Sequence, residues 1–569
     1  MFARVKKSGN NQYLQIVENR KVSGKVVQRV ISTVGRLDRL QEKGEIESLV
    51  RSLSRFSEKV LLVLSGKTEI GAETKKIGPV LILERLWNEL GIRKVLECSL
   101  AERHFFFNVE RAIFLTVLHR LLMCGSDRSC DKWRRDYLIN GVVDLSLHHL
   151  YRAMAFLGEE IEDQEQATPF SPRCTKDAIE EAMFAHNRNL FSSLDLVFLD
   201  TTSIYFEGEG GQDLGERGFS KDHRPDLKQM VVGVVLDNNG TPLCSEIWPG
   251  NTADVETLLP VVERIRNRFQ ASGFCIVADR GMISRKTLGI LDKPENKIRY
   301  ILGERMRNVK EVGEKVLNAP GDFIEVHPEG NSSKDPSPLK VKEVLVEGRR
   351  YIVCVNTRQA RKDALDREAI IESLKEQIRS GAKAMIGNRG YRRFVKMESG
   401  SVSINMEKVE EEAKYDGIWV LRTNTRLSPK KVALKYKQLW MVEHAFRDMK
   451  SVLETRPVFH QRDETIRGHV FCSFLSLALR KELYRRLEAA GHCGLEWLDI
   501  KQDLEAMQEI TIEENGKGFR IRSQCLGNCG KIFQAVGVAI PPTIRDTVDF
   551  PKSECPGSAK VDSCMRNHA

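Results

Sequence analysis

The chain has 569 residues, too many for one hydrophobic core, so about three or four domains are expected. Its composition, 41% hydrophobic and 30% charged, is that of a globular protein. No apolar stretch reaches the roughly 18–20 residues that a helix needs to span a bilayer, so no membrane-spanning helix is expected.

The net charge of +10 is uneven. Residues 1–40 carry Arg4, Lys6, Lys7, Arg20, Lys21, Lys25, Arg29, Arg36 and Arg39 against only Glu18 and Asp38. Concentrated basic charge is the footprint of a phosphate-binding surface, and a solvated basic face is the alternative. Met1 to Lys7 has no apolar run behind it, so no secretory signal is read. Thirteen cysteines, many inside apolar runs (Cys275, Cys354, Cys472), suit reduced thiols in a cytosolic protein. Cys525, Cys529, Cys555 and Cys564 have spacings that fit zinc poorly.

In chain order, the spacing predicts two strands, 12–18 and 25–34, with Val22-Ser23-Gly24 as the turn. Leu83, Leu86, Trp87 and Leu90 then recur at helical spacing, and Gly91 supplies a stop. Further helices are expected over 110–123 and 145–157. Between them Asp127–Arg135 is basic with one aromatic, which suits a DNA-contacting module or plain helical scaffold.

From 194 to 305 short apolar runs alternate with turns. They cover 194–199, 230–236, 243–248, 274–278 and 299–302, with a helix over 255–268. Asn238-Asn239-Gly240 signals a hairpin. This pattern predicts a mixed α/β sheet. Residues 307–417 differ: strand-like pieces at 323–327, 339–346 and 351–356, a charged helix over 361–379 and a surface loop at 331–338 read as a β-rich insertion. A strand over 418–422 resumes the interrupted fold, and the tail past about 545 lacks periodicity. The expected regions are a basic N-terminal β-hairpin region (1–75), a helical DNA-binding region (76–185), a first core part (186–306), the insertion (307–417), a second core part (418–490) and a C-terminal region (491–569).

Three acids stand out. Asp200 ends the run Leu194–Leu199, and Asp279 ends the run Phe274–Ala278. Side by side, two such strands would present both carboxylates at one sheet edge. Turn or cap roles are the common fate of an Asp in that place. The third acid, Glu443, lies in a helix expected over 434–454. There Leu439, Val442, Phe446, Met449 and Leu453 form an apolar stripe, and Tyr436, Glu443, Arg447 and Lys450 form a second face. Such a helix packs on a sheet and mounts Glu443 rigidly at the border of core and solvent, with basic residues placed for a phosphate backbone. Three clustered carboxylates repel unless divalent cations neutralise them, and oxygen-only ligation suits Mg²⁺ or Mn²⁺. Two such ions, about 3.5–4 Å apart, activate the attacking oxygen and stabilise the leaving one.

These residues resemble the DDE transposases of bacterial insertion sequences, the IS-four superfamily, and within it the 1634-type branch. The family signature Tyr-x2-Arg-x3-Glu-x6-Lys is matched at Tyr436, Glu443 and Lys450 and departs at Leu439, where the family carries Arg. Arg447 is placed to compensate. Gly218–Gln229, Pro249-Gly250-Asn251, Asp279–Met282 and Ile466–Val470 also resemble family stretches. The likeness runs from about residue 10 to 540.

The resemblance implies an RNase H-like core interrupted by the insertion between Asp279 and Glu443. It implies Asp200, Asp279 and Glu443 as ligands of two Mg²⁺ or Mn²⁺ ions, and Tyr436, Arg447 and Lys450 as DNA contacts. Ser220, Lys221, Arg224 and His469 are candidates for DNA approach or for turn and packing roles. The implied activity is cutting at the terminal inverted repeats, then attack of the freed 3′-hydroxyl on target DNA. The implied assembly is a homodimer on paired ends, in the bacterial cytoplasm at the nucleoid. An RNase H-fold nuclease or resolvase without strand transfer, and a non-catalytic DNA-binding derivative, are the rival readings.

Overall fold

The computed structural model describes residues 2–22, 25–54, 71–168, 171–188, 194–271, 273–293, 298–327, 339–379, 393–398, 401–514 and 517–546. The expected turn at Ser23-Gly24, the loop at 331–338 and the tail with Cys555 and Cys564 lie outside these residues. The chain forms two compact units. One comprises Met1–Glu73, Ile510–Ile521 and Thr543–Ala569, the other Thr74–Glu509 and Arg522–Pro542.

The first unit begins with an antiparallel sheet of β1 (Phe2–Ser8), β2 (Asn11–Val22) and β3 (Lys25–Arg36). The expected pair is there, and β1 adds an edge strand. Helices α1 (Leu37–Glu42) and α2 (Glu45–Ser54) follow, then β4 (Gly71–Lys76).

The second unit opens with α3 (Gly78–Glu89), α4 (Ile92–Leu100), α5 (Val109–Leu122), α6 (Asp127–Trp133), α7 (Leu147–Gly158) and α8 (Thr175–Asn187). Gly91, at φ +74°, ends the α3 region as its residue type requires, and the Asn108 side chain caps α5. Two helices here, α4 and α8, exceed what the apolar spacing predicts.

The central sheet follows: β5 (Leu196–Tyr205), β6 (Gln229–Asp237), β7 (Pro242–Pro249), α9 (Asp254–Arg268), β8 (Cys275–Ala278), α10 (Arg285–Leu291) and β9 (Arg299–Gly303). The β6–β7 turn is held by Asp237, whose Oδ1 accepts from the Asn239 and Thr241 amides, with Gly240 at φ +75°. The insertion region supplies β10 (Ile324–Val326), β11 (Leu339–Val346), β12 (Arg349–Asn356), α11 (Thr357–Arg379), the hairpin β13 (Val395–Glu398) and β14 (Ser401–Ile404), and α12 (Met406–Ala413). Then β15 (Ile418–Thr423) returns to the sheet.

Among the described residues the sheet has nine strands in the order β10-β11-β12-β15-β9-β8-β5-β6-β7. β5, β8 and β9 run parallel, while β6 and β7 are antiparallel to their neighbours. The first three insertion strands thus extend the central sheet through the β12–β15 pairing, and only β13–β14 stands as a separate hairpin.

Strand alternation sorts β5 between two cores. Val197 and Leu199 face α9 and α10, whereas Leu196, Phe198 and Ile204 face the helical region and the segment after β15. That segment is α13 (Pro429–Lys437), α14 (Trp440–Arg447), a π-helical turn over Asp448–Val452 and the long α15 (Asp463–Ala489). The single helix expected over 434–454 is broken: α13 ends at Gln438, and Leu439 starts α14. Its apolar stripe nevertheless holds, with Leu439, Val442, Phe446, Met449 and Leu453 all buried.

The C-terminal part gives α16 (Trp497–Glu505), β16 (Gln508–Glu514), β17 (Lys517–Arg522), α17 (Cys529–Val536) and β18 (Ile544–Asp546). β16, β17 and β18 join β4 in a sheet of order β18-β17-β16-β4, so the region expected as one C-terminal block is shared between the two units. Among the described residues no helix is long and apolar enough to cross a membrane.

Candidate active site

The parallel pairing of β5 with β8 matches Leu199 to Ala278. The next residues are Asp200 and Asp279, so the two acids sit side by side. Alternation points both toward the face covered by α13 and α14. Asp200 is not the end of its strand, because β5 continues to Tyr205.

Burial is the main influence on Asp200 and pushes its carboxyl up to about 6. The Lys221 ammonium and the Thr201 amide, which donates to Asp200 Oδ1 at 2.7 Å, work against that rise. Asp279 and Asp254 add to it. Tyr436, from α13, donates its hydroxyl to Asp279 Oδ1 at 3.0 Å. It can do so because Gly303 carries no side chain; a methyl there would overlap the Tyr436 hydroxyl. Burial, then the Asp279 charge, push the Tyr436 hydroxyl well above its ordinary range, so it remains a donor at neutral pH.

Glu443 is exposed on α14, the helix that packs on β5 and β6. Its carboxylate has no hydrogen bond or ion pair among the described residues. Among those residues no group of three or more His, Cys, Asp or Glu is spaced to hold a metal ion. The structure therefore brings Asp200 and Asp279 together and leaves Glu443 on the adjoining helix. The acid pair still suits a hard divalent cation: its donors are all oxygens, and the Asp200 carboxylate is half-buried beside like charge.

The remaining candidates divide. Arg447 is exposed. Lys450 is turned inward, its Nζ 2.7 Å from Asp222 Oδ1, with Arg456 on the same carboxylate. Burial lowers the Lys450 ammonium. Ser220 has a turn role, its Oγ accepting from the Asp222 and Arg224 amides. Arg224 is paired at the surface with Asp226. His469 is enclosed by Arg120, His460 and the Thr455 carbonyl, which places it in the packing and not at a surface open to DNA. The described cysteines are all free.

One acid escaped the sequence reading. Asp254, at the start of α9, accepts from Thr201 Oγ1 at 2.7 Å and pairs with Lys221 at 3.1 Å. The only signal available was its place in the stretch after Pro249-Gly250-Asn251, where it reads as an ordinary first-turn acid.

Residues 192–479 match the family described as Transposase DDE domain, which spans just over half of the chain. The chain thus belongs to the DDE transposases, metal-dependent enzymes that cleave DNA. Residues 3–67 match the N-terminal domain of the IS1634 family transposases, so the protein is a DDE transposase of the IS1634 type. No protein of curated function matches the sequence. Among solved structures, a cryo-EM structure of a piggyBac transposase synaptic complex with hairpin DNA is similar over 75% of this chain and 79% of that one, at 11% identity and a TM-score of 0.38.

Proposed function

We propose that the protein binds the ends of an insertion sequence, cuts them and joins the freed 3′-hydroxyl to target DNA. The observation that carries this reading is the β5–β8 register, which sets Asp200 beside Asp279 beneath the helix that bears Glu443. The strand order β7-β6-β5-β8-β9, with only β6 running opposite to the other four strands, supports an RNase H-like core.

In this reading Asp200, Asp279 and Glu443 hold the divalent cations. When bound, two such ions activate the attacking oxygen and stabilise the leaving one. The chain's own residues do the rest. Tyr436 donates to Asp279 and fixes the orientation of its carboxylate. Lys450 and Arg456 anchor Asp222, which keeps the 217–223 loop against the helix segment that follows Glu443. The exposed guanidinium of Arg447, one turn past Glu443, offers a phosphate contact. The basic first 40 residues supply further contacts to the DNA backbone, and a homodimer on paired ends is the assembly proposed.

Asp200→Asn, Asp279→Asn and Glu443→Gln are each expected to abolish cleavage in Mg²⁺ or Mn²⁺ while gel shifts on end DNA persist. Near-normal cutting by one variant would remove that residue from the site. Joined products in the wild-type reaction distinguish transposition from simple nuclease action.

A further inference from the structure

Asp254 and Lys221 form a cluster beside the acid pair that the proposed chemistry does not use. The Asp254 carboxylate is held at both oxygens, by the Thr201 hydroxyl at 2.7 Å and the Lys221 ammonium at 3.1 Å. Lys221 is itself fixed. Its Nζ donates to the Thr201 carbonyl at 2.7 Å and lies 2.9 Å from Thr201 Oγ1, while its backbone amide donates to Ser203 Oγ at 2.8 Å. Thr201 directly follows Asp200, so the whole knot is tied to the strand that carries the half-buried acid.

The knot also reaches Asp279. A methyl built on Gly281 would stand 3.6 Å from Asp254 Oδ2 and 4.0 Å from Asp279 Oδ2, so both carboxylates border one small space. Alternation along β5 sends Thr201 to the α9 face and Asp200 to the α14 face. Asp254 and Lys221 therefore reach Asp200 from behind its strand and Asp279 across the space at Gly281. Both are about a quarter exposed, beside a cavity of about 280 Å³ that Phe219 and Arg305 also line.

We propose that Lys221 and Asp254 are a positioning pair that sets how tightly Asp200 and Asp279 hold a divalent cation. Asp254 adds negative potential at the acids, Lys221 subtracts it, and Thr201 locks the balance in place. The inference rests on the reading of Asp200 and Asp279 as cation-binding residues. The two members of one ion pair then have opposite effects on cation affinity. A pair that only braced the fold would weaken the site whichever member was lost.

The test is Mn²⁺ binding to the full-length protein without DNA, with free Mn²⁺ followed by electron paramagnetic resonance. Lys221→Gln is expected to tighten Mn²⁺ binding and Asp254→Asn to weaken it, each on the order of tenfold for one charge felt by a divalent ion at partial exposure. The double variant should return to within about threefold of wild type, because the two charge changes cancel. Lys221→Arg keeps the charge and should bind as wild type does. Thermal melts identify any variant whose fold is lost. Shifts in the same direction for Lys221→Gln and Asp254→Asn, or no shift in either, overturn the inference. Asp200→Asn and Asp279→Asn serve as controls. If they bind Mn²⁺ as wild type does, the cation-binding reading falls and takes this inference with it. If they lose Mn²⁺ while the pair variants shift alike, only this inference falls.

Discussion

Asp200→Asn is expected to stabilise the metal-free protein even as it removes activity. Burial holds the Asp200 carboxyl at about 6, against an ordinary 3.8. A folded-state pKa above the unfolded value means that the native protein binds the proton more tightly. Its stability is therefore greatest below 3.8 and falls as the pH rises through about 6. A rise of about 2 in pKa, at ~1.4 kcal/mol for each, makes the buried charge cost about 3 kcal/mol at pH 8. Asn avoids this cost and still accepts the Thr201 amide through its Oδ1. For a cooperative unit of roughly 450 residues, ~2 cal/mol/K per residue turns that gain into about 3 °C in the melting midpoint. Calorimetry in excess chelator should show the variant melting higher at pH 8, with the gap shrinking through pH 6 and closing near pH 4. Mg²⁺ should narrow or reverse the order, since it stabilises wild type by mass action and has little hold on the variant. A variant that melts lower at pH 8, or a gap that does not change with pH, would refute the assignment of the strain to the buried charge.

Three further outcomes are expected. A methyl on Gly468 would overlap the Met154 carbonyl oxygen, and one on Gly158 would overlap that of Glu464, so α7 and α15 meet backbone to backbone. Gly468→Ala should therefore cost more than the ~1–3 kcal/mol typical of overpacking, while Gly289→Ala, in open space on α10, should be neutral or slightly stabilising; chemical denaturation of both decides. Leu439 is 6% exposed, so restoring the family residue with Leu439→Arg should cost several kcal/mol by burying an unpaired charge; a variant that melts like wild type and cuts faster would contradict this. Removing residues 1–40 should weaken DNA binding and flatten its salt dependence, and an unchanged slope of log affinity against log salt would mark that charge as a solvated face.

The parts of the fold legible in the sequence were those whose burial is apolar. The strands of the central sheet are dense in Val, Ile and Leu, and the Asn-Gly turn between β6 and β7 announces itself. The helix α8 does not, because its inward face is charged. Lys176, Asp177 and Glu180 are buried against Arg264, Arg268 and Glu246, so a search for apolar periodicity passes over it. The edge strand β1 is missed for a related reason: most of its residues are exposed, and Lys6-Lys7 breaks the alternation. The break between α13 and α14 carries no Gly or Pro, and the apolar stripe continues across it, so spacing alone suggests one helix.

The site follows the same logic one level up. Asp200 and Asp279 were legible because a parallel strand pair turns two similar apolar runs into neighbours. Asp254 was not, because nothing local separates it from any acid that opens a helix. Topology brings it to the site. β6 runs antiparallel to β5, pairing Gln229 with Tyr205, and β7 runs antiparallel to β6, pairing Pro249 with Met230. Two reversals return the chain to the edge where β5 ends, so α9 starts beside the acids and not at the far end of the sheet. One reversal more or fewer would leave the same Asp254 in the same sequence at the opposite edge, out of reach of Thr201. A residue's distance from the chemistry is thus decided by how many times the chain turns between them, and that count becomes available only once the strands are paired.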